Sequence, residues 1–166
     1  MDSSKKKLKR KKIVICIIAR LESQRLPEKV IKKINNQTII EHLIDKLKKI
    51  TYPGVKITLC TTSQKEDDKL EQIAIKNNIY CIRGSVLSVV DRLIDAAALT
   101  DSDIIVRVTG DNIFTDHELL EKLIFEHLSE NADYSRIENI PIGVTAEVVN
   151  LNTLKSCFQE NNKDES

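Results

Sequence analysis

Two hydrophobic periods alternate along this chain, and this alternation limits the folds that it can adopt. Residues 13–18 form a continuous apolar run of mostly β-branched residues, and residues 55–60, 79–82 and 104–108 form three further short segments that are rich in apolar residues. Runs of this length are typical of strands that are buried on both faces. Each run is followed by a longer segment whose apolar residues recur every three or four positions, which is the pattern of an amphipathic helix.

Four strand-then-helix units in series predict an α/β protein. Because consecutive parallel strands need a crossover helix, the sequence favours a Rossmann-like, mostly parallel sheet flanked by helices. Beyond residue 130 the alternation weakens, although residues 132–137 and 145–149 could form further strands and residues 151–158 a short helix.

Local signals predict where the helices begin. Ser63 to Glu66 and Thr115 to Glu118 have the spacing of a capping box. Ser85 is a candidate N-cap for a helix with a predicted apolar face of Leu87, Val90, Ile94 and Ala97. The helix before the second strand has an apolar face of Ile39, Ile40, Leu43, Ile44 and Leu47.

The net charge of +1 conceals a division within the 166 residues. Seven of the eight residues at 5–12 are basic, and the remainder from Ile13 carries a charge of about −5. We therefore predict a disordered basic lead-in at residues 1–12, one domain at 13–158 and a polar tail at 159–166. An anion-contacting arm or a targeting tag is the alternative for the lead-in. The near-neutral total gives no reason to expect nucleic-acid binding.

The cysteines and the apolar runs indicate in which cellular compartment the protein is expected. Cys16, Cys60, Cys81 and Cys157 form no CxxC pair and have no metal-like spacing with the three histidines. No apolar run approaches the roughly 20 residues that span a bilayer, and the basic start lacks the apolar region of a secretory signal. These features favour a cytoplasmic protein with reduced thiols and no membrane insertion.

The first candidate site follows the first strand. Arg20, Arg25 and Lys29 place three cations within ten residues, together with the hydroxyl of Ser23. In doubly wound sheets ligands bind beyond the carboxyl ends of the strands, and guanidinium and ammonium groups suit a polyphosphate. A solvated basic loop is the alternative interpretation.

The second candidate site follows the fourth predicted strand. Asp111 comes directly after Gly110 at the strand end. A carboxylate in that position is well placed for Mg²⁺, which binds through one or two carboxylates and phosphate oxygens. An Asx turn or a helix cap is the alternative role for Asp111.

Five ordered segments resemble the signature motifs of the cytidylyltransferases that activate sugars. These motifs read ARxxSxRLPxK, TSxxxDD, RGS…LDR, RVTGDNP and PxG…EV. The matching residues are Ala19, Arg20, Ser23, Arg25–Leu26–Pro27, Lys29, Thr61–Thr62–Ser63, Asp67–Asp68, Arg83–Gly84–Ser85, Val90–Asp91–Arg92, Arg107 to Asn112, Pro141, Gly143 and Glu147–Val148. The chain is identified as a C-terminally short member of this family, which includes the acylneuraminate and 3-deoxy-manno-octulosonate cytidylyltransferases. Its motifs are most similar to those of the spore-coat polysaccharide biosynthesis protein F group.

The resemblance implies a nucleotide-diphospho-sugar transferase fold and an Mg²⁺-dependent transfer of CMP from CTP to a sugar, with release of pyrophosphate. It further implies a role in surface polysaccharide biosynthesis and a possible homodimer. A nucleotide-binding module without catalysis and a transferase for another nucleoside triphosphate are the alternatives.

The resemblance also implies roles for individual residues. The phosphates of CTP would be held by Arg20, Arg25 and Lys29 as the catalytic cations, with Ser23 beside them. The nucleotide site would include Ala19, with Arg83, Ser85 and Asp91 around the base and ribose. Asp111 would bind the metal and Glu147 would face the sugar. Glu28 departs from the motif, because a glycine usually stands between Pro27 and Lys29.

Overall fold

The computed structural model describes residues 10–22, 26–141, 143–144 and 146–164. Its eight strands are β1 (Ile13–Ile18), β2 (Lys33–Ile34), β3 (Gln37–Thr38), β4 (Lys56–Thr62), β5 (Tyr80–Gly84), β6 (Ile104–Thr109), β7 (Tyr134–Arg136) and β8 (Glu147–Asn150). Its five α-helices are α1 (Ile39–Leu47), α2 (Asp68–Lys76), α3 (Val89–Thr100), α4 (His117–Ser129) and α5 (Leu151–Asp164).

Six strands form one sheet in the order β5-β4-β1-β6-β8-β7. β1 pairs in parallel with both β4 and β6, and β4 pairs in parallel with β5. Within this sheet, as described, β8 and β7 run antiparallel to their neighbours. The prediction of a mostly parallel, Rossmann-like sheet is therefore confirmed. The strand order reverses between β1 and β6, so the fold places its ligand crevice at their carboxyl ends.

The central strand β1 is buried on both faces because it separates two hydrophobic cores. Ile13, Ile15 and Ile17 belong to the larger core, and Val14 and Cys16 belong to the smaller one. This alternation explains why the strand is a continuous apolar run in the sequence. Cys16 and Cys60 are fully buried, as predicted for structural thiols, whereas Cys157 is exposed.

The predicted helix starts are wrong at three places. Ser63 is exposed and lies before a short 3-10 turn, so the first capping box does not form. The N-cap of α3 is Ser88, whose hydroxyl accepts from the backbone N–H of Asp91. The N-cap of α4 is Asp116 rather than Thr115. In each case the observed N-cap lies later in the chain than the predicted one, at Asp67, Ser88 and Asp116.

The buried face of α3 differs from the predicted one. Leu87 precedes the cap and is 97% exposed instead of buried. The buried residues are Arg92, Leu93, Ala96, Ala97 and Thr100, so an arginine lies on the face that packs against the sheet.

The two later strand predictions are confirmed by β7 and β8, while α5 continues to Asp164, beyond the predicted end at residue 158. The β2–β3 hairpin was missed because two-residue strands carry no periodic signal. Its turn uses Asn35 and Asn36, both at positive φ, which asparagine tolerates better than most residues. None of the helices in the described part of the chain is long and apolar enough to cross a membrane.

The capping box of α1 makes a pH-dependent contribution to the stability of the fold. Thr38 caps the helix, and the Glu41 carboxylate accepts from the Thr38 backbone N–H and hydroxyl and from Lys76. Burial acts to raise the pKa of Glu41, but these hydrogen bonds outweigh it and lower the pKa from 4.5 to about 2.

Because this pKa is depressed on folding, the stabilisation is complete above pH 4.5 and is lost as the pH falls toward 2. We expect Glu41→Gln to lower the free energy of unfolding by about 2–3 kcal/mol at pH 7, allowing for screening around the exposed Lys76. The difference from wild type should shrink at pH 3 in urea denaturation. A difference that is independent of pH would contradict the assignment.

Candidate active site

An open cavity of about 640 Å³ lies at the carboxyl ends of β1 and β6, where the strand order reverses. The segment after β1, the loop between β5 and α3 and the turn after β6 form its walls. Its charged lining residues are Arg20, Glu22, Lys29, Arg92 and Asp111. Three cations therefore face the cavity in the place where this class of sheet binds nucleotides.

Gly110 allows the ends of β1 and β6 to meet at the floor of this cavity. Its backbone N–H donates to the carbonyl of Ile18 at 2.8 Å. A Cβ at this position would lie 2.9 Å from the Cβ of Ala19 and 3.3 Å from the carbonyl oxygen of Ile18. Because both neighbours belong to the rigid strand end, only glycine fits here without a backbone shift.

We therefore expect Gly110→Ala to lower the free energy of unfolding by about 2 kcal/mol, through overpacking of a rigid contact. Ala19→Gly removes the closest atom, so the double variant Ala19→Gly/Gly110→Ala should regain part of the loss. Chemical denaturation of the three variants measures both effects. Equal stability of Gly110→Ala and wild type would show that the strand ends can separate freely.

Lys29 and Asp111 form an ion pair across the cavity. Burial acts to raise the pKa of Asp111, but the hydrogen bond and charge of Lys29 outweigh it and lower the pKa. Lys29 opens a 3-10 turn, and the residue before it, Glu28, has a φ of +55°. Glycine takes this left-handed conformation most easily, which gives a physical reason for the glycine that usually stands there.

Arg20 and Arg92 supply the other two cations. Arg20 is exposed at the end of β1, whereas Arg92 is only 2% exposed and reaches the cavity from α3. Burial lowers the pKa of Arg92 and the charge of Arg20 lowers it further, while the charge of Asp67 acts in the opposite direction. The two guanidinium groups therefore repel each other across the cavity.

Asp67 holds the segment after β1 in place. Its side chain is buried, and one carboxylate oxygen accepts from the Leu21 backbone N–H at 2.8 Å. The other oxygen accepts from the backbone N–H and the hydroxyl of Thr62 at the end of β4. This carboxylate joins two strand ends and thereby fixes the backbone that carries Arg20.

The structure brings together part of the predicted site. Ala19, Arg20, Lys29 and Asp111 line the one cavity. The predictions for Ser23 and Arg25 lie outside the described residues. Ser85 and Asp91 flank the start of α3, where the Ser85 hydroxyl accepts from the Ser88 backbone N–H.

Arg83 points toward α2 rather than lining the cavity. It forms ion pairs with Asp68 at 2.5 Å and Glu71 at 3.0 Å and donates to the backbone carbonyl of Gln64. These contacts connect the end of β5 to α2, and any contact of Arg83 with a base stays a prediction.

Glu147 lies further along the sheet, on β8. It pairs directly with Arg107 of β6, with Oε2 and Nη1 2.6 Å apart. It lines a second cavity of about 400 Å³ beside the β7 end. The structure thus separates Glu147 from the cationic cavity, and its contact with a sugar stays a prediction.

Asp111 has the chemistry of an Mg²⁺ ligand, although it is a single carboxylate. Within the described ranges, no cluster of three or more His, Cys, Asp or Glu side chains could hold a metal ion. Mg²⁺ needs only one or two protein carboxylates when phosphate oxygens complete its shell. The residues therefore fit a metal that arrives together with a polyphosphate.

Two residues of this site have structural positions that sequence reasoning missed. Arg92 belongs to a recognised motif, but its place on the apolar face of α3 was hidden by the wrong helix phase. Asp67 is surrounded by polar neighbours in the sequence, and nothing local shows that it would be buried. The signal for Arg92 was present, because a charged residue adjoins the apolar positions Leu93, Ala96 and Ala97.

Comparison with known proteins gives consistent matches. The family model described as cytidylyltransferase matches residues 14–166. The chain is 34% identical over 145 residues to the spore coat polysaccharide biosynthesis protein SpsF of Bacillus subtilis, covering 86% of this chain and 60% of that protein. It is 30% identical over 118 residues to 3-deoxy-manno-octulosonate cytidylyltransferase 2 of Hydrogenovibrio crunogenus, covering 68% and 46% of the two chains.

A solved structure shows the same architecture. A cytidylyltransferase from Leptospira borgpetersenii superposes with a TM-score of 0.81 at 30% sequence identity, covering 89% of this chain and 63% of that one. The chain therefore spans about three fifths of the length of SpsF and of the Leptospira protein.

Proposed function

Because this chain belongs to the cytidylyltransferase family, we propose that its cationic cavity binds CTP and supports transfer of CMP to a sugar acid. In this reaction a sugar hydroxyl oxygen attacks the α-phosphorus of CTP. The bond from that phosphorus to the bridging oxygen breaks, pyrophosphate leaves, and the hydroxyl proton passes to solvent. The products are a CMP-sugar and pyrophosphate.

The observation that carries this proposal is the convergence of Arg20, Lys29, Arg92 and Asp111 on one cavity at the strand-order reversal. Transfer at phosphorus depends mainly on positioning and on neutralising the charge of the phosphates. Arg20 and Lys29 would hold phosphate oxygens, and Asp111 would hold Mg²⁺. When bound, Mg²⁺ would neutralise phosphate charge and favour departure of pyrophosphate.

The Lys29–Asp111 ion pair joins two charges that the proposed function assigns to different ligands. A bound triphosphate would offer phosphate oxygens to Lys29, and the Asp111 carboxylate would then be available to Mg²⁺.

The proposed sugar acid is derived from the relatives. One is named for spore coat polysaccharide biosynthesis and another for cytidylyl transfer to 3-deoxy-manno-octulosonate. We extend this to an acidic sugar of a surface polysaccharide, made in the cytoplasm where CTP is available. Glu147, beside its cross-strand partner Arg107, is the proposed contact of the sugar hydroxyl groups.

Pyrophosphate release tests the proposal. The protein is incubated with CTP, Mg²⁺ and a panel of octulosonate and sialic-acid-like sugars, and binding of CTP, UTP, GTP and ATP is compared by calorimetry. We expect sugar-dependent release and a preference for CTP. CTP binding without turnover on any sugar would indicate a binding module instead, and tighter binding of UTP would overturn the choice of base.

A further inference from the structure

Arg92 is a buried cation whose charge is not neutralised by a salt bridge within the described residues. Arg92 is only 2% exposed. Within the described part of the chain, no carboxylate lies at ion-pair distance from its guanidinium. A charge that is buried without a partner is costly, and such groups are normally paired in folded proteins. The charge of the buried Asp67 acts on Arg92, but the Asp67 carboxylate accepts its hydrogen bonds from Leu21 and Thr62.

The fold holds Arg92 in place. Its Nη1 donates to the carbonyl of Cys60 at 3.3 Å and its Nε donates to the carbonyl of Ser88 at 3.5 Å. Gly84 provides room for its stem, because a Cβ there would lie 2.9 Å from Cγ of Arg92. A guanidinium has five N–H donors, so these two contacts orient the group and leave donors for a ligand.

Arg20 contributes a second guanidinium to the same cavity. The mutual repulsion of the two like charges disappears when a polyanion binds between them. A polyphosphate fits this arrangement well, because guanidinium groups bind phosphate oxygens through paired hydrogen bonds.

From this geometry we propose that Arg92 and Arg20 form a two-arginine clamp for the pyrophosphate part of the nucleotide. This inference rests on the proposed function and adds Arg92 to it as a phosphate-binding residue. Arg92 is the preformed half of the clamp, because the carbonyls of Cys60 and Ser88 orient it, and the exposed Arg20 contributes the second guanidinium.

The test measures binding of inorganic pyrophosphate and of Mg²⁺–CTP by calorimetry, together with the melting temperature of each protein without ligand. We expect Arg92→Met to weaken pyrophosphate binding by about 10- to 100-fold, as the loss of a charge-assisted bond predicts. Its melting temperature without ligand should stay within a few degrees of wild type, because the variant also removes a buried unpaired charge. Arg92→Lys should regain part of the affinity, because it restores the charge but not the planar donors.

Arg10→Met is the matched control, because Arg10 stacks over Tyr52 before the start of β1, away from the carboxyl ends of the strands. It should leave pyrophosphate affinity unchanged. Unchanged affinity in Arg92→Met, or an equal loss in Arg10→Met, would overturn the clamp. Wild-type protein that binds pyrophosphate but not CTP would overturn the proposed function while supporting the clamp.

Discussion

Asp111→Asn is expected to reduce Mg²⁺-dependent release of pyrophosphate by about a thousandfold, while leaving the melting temperature nearly unchanged. Loss of the carboxylate that we propose as the Mg²⁺ ligand would remove several kcal/mol of charge stabilisation from the transferring phosphate, and each 1.4 kcal/mol is about a tenfold change in rate. The small effect on stability follows because Lys29 and Asp111 are both partly exposed, so their ion pair contributes little to folding. Steady-state pyrophosphate release and thermal denaturation measure the two quantities.

Asp45→Asn provides the matched control for this charge change. Asp45 lies on the exposed face of α1 and accepts a hydrogen bond from Gln37, outside the cationic cavity. We expect its turnover to equal that of wild type. If Asp111→Asn instead lowered the melting temperature strongly and kept its turnover, Asp111 would be a residue of the turn after β6 and not a metal ligand.

Asp67→Ala is expected to lower the free energy of unfolding by about 3–5 kcal/mol. The change leaves two backbone N–H groups and one hydroxyl without their acceptor, in a place where the carboxylate is only 1% exposed. Each buried donor that loses its partner costs about 1–3 kcal/mol. The variant should also bind CTP more weakly, because the segment that carries Arg20 is no longer tied to the end of β4.

Asp68→Ala separates this role from a general effect of removing an acid. Asp68 follows Asp67 directly, but it is about half exposed and pairs with Arg83. Surface ion pairs of this kind contribute at most about 1 kcal/mol, so we expect a small change in urea denaturation. Comparable losses in the two variants would refute the assignment of Asp67 as the anchor.

The layers of the fold could be predicted from the sequence because they depend on local pattern. The run at residues 13–18 is apolar at every position because β1 has a core on each side. The same reasoning located β4, β5 and β6, and from them the sheet edge where Arg20 and Asp111 follow the strand ends. Motif resemblance then predicted the family, which the comparisons confirmed.

The helix starts could not be predicted to the residue, because a capping motif is short and recurs by chance. Ser85 and Ser88 are equally good cap residues in the sequence, and only the path of the chain out of β5 selects Ser88. That three-residue difference left Leu87 outside α3 and on the surface, while the packing of α3 against the sheet placed Arg92 on its buried face.

The sequence by itself determined the α/β class, the parallel sheet and the family, since periodicity and ordered motifs are properties of neighbouring residues along the chain. Tertiary structure alone decided which charges meet. It paired Lys29 with Asp111 and turned Arg83 toward α2. It also buried Arg92 beside the cavity and made Asp67 an anchor between two strand ends. The physical reason is that electrostatic partners are selected by distance in space, and residues far apart in the sequence become neighbours only when the sheet brings its strand ends together.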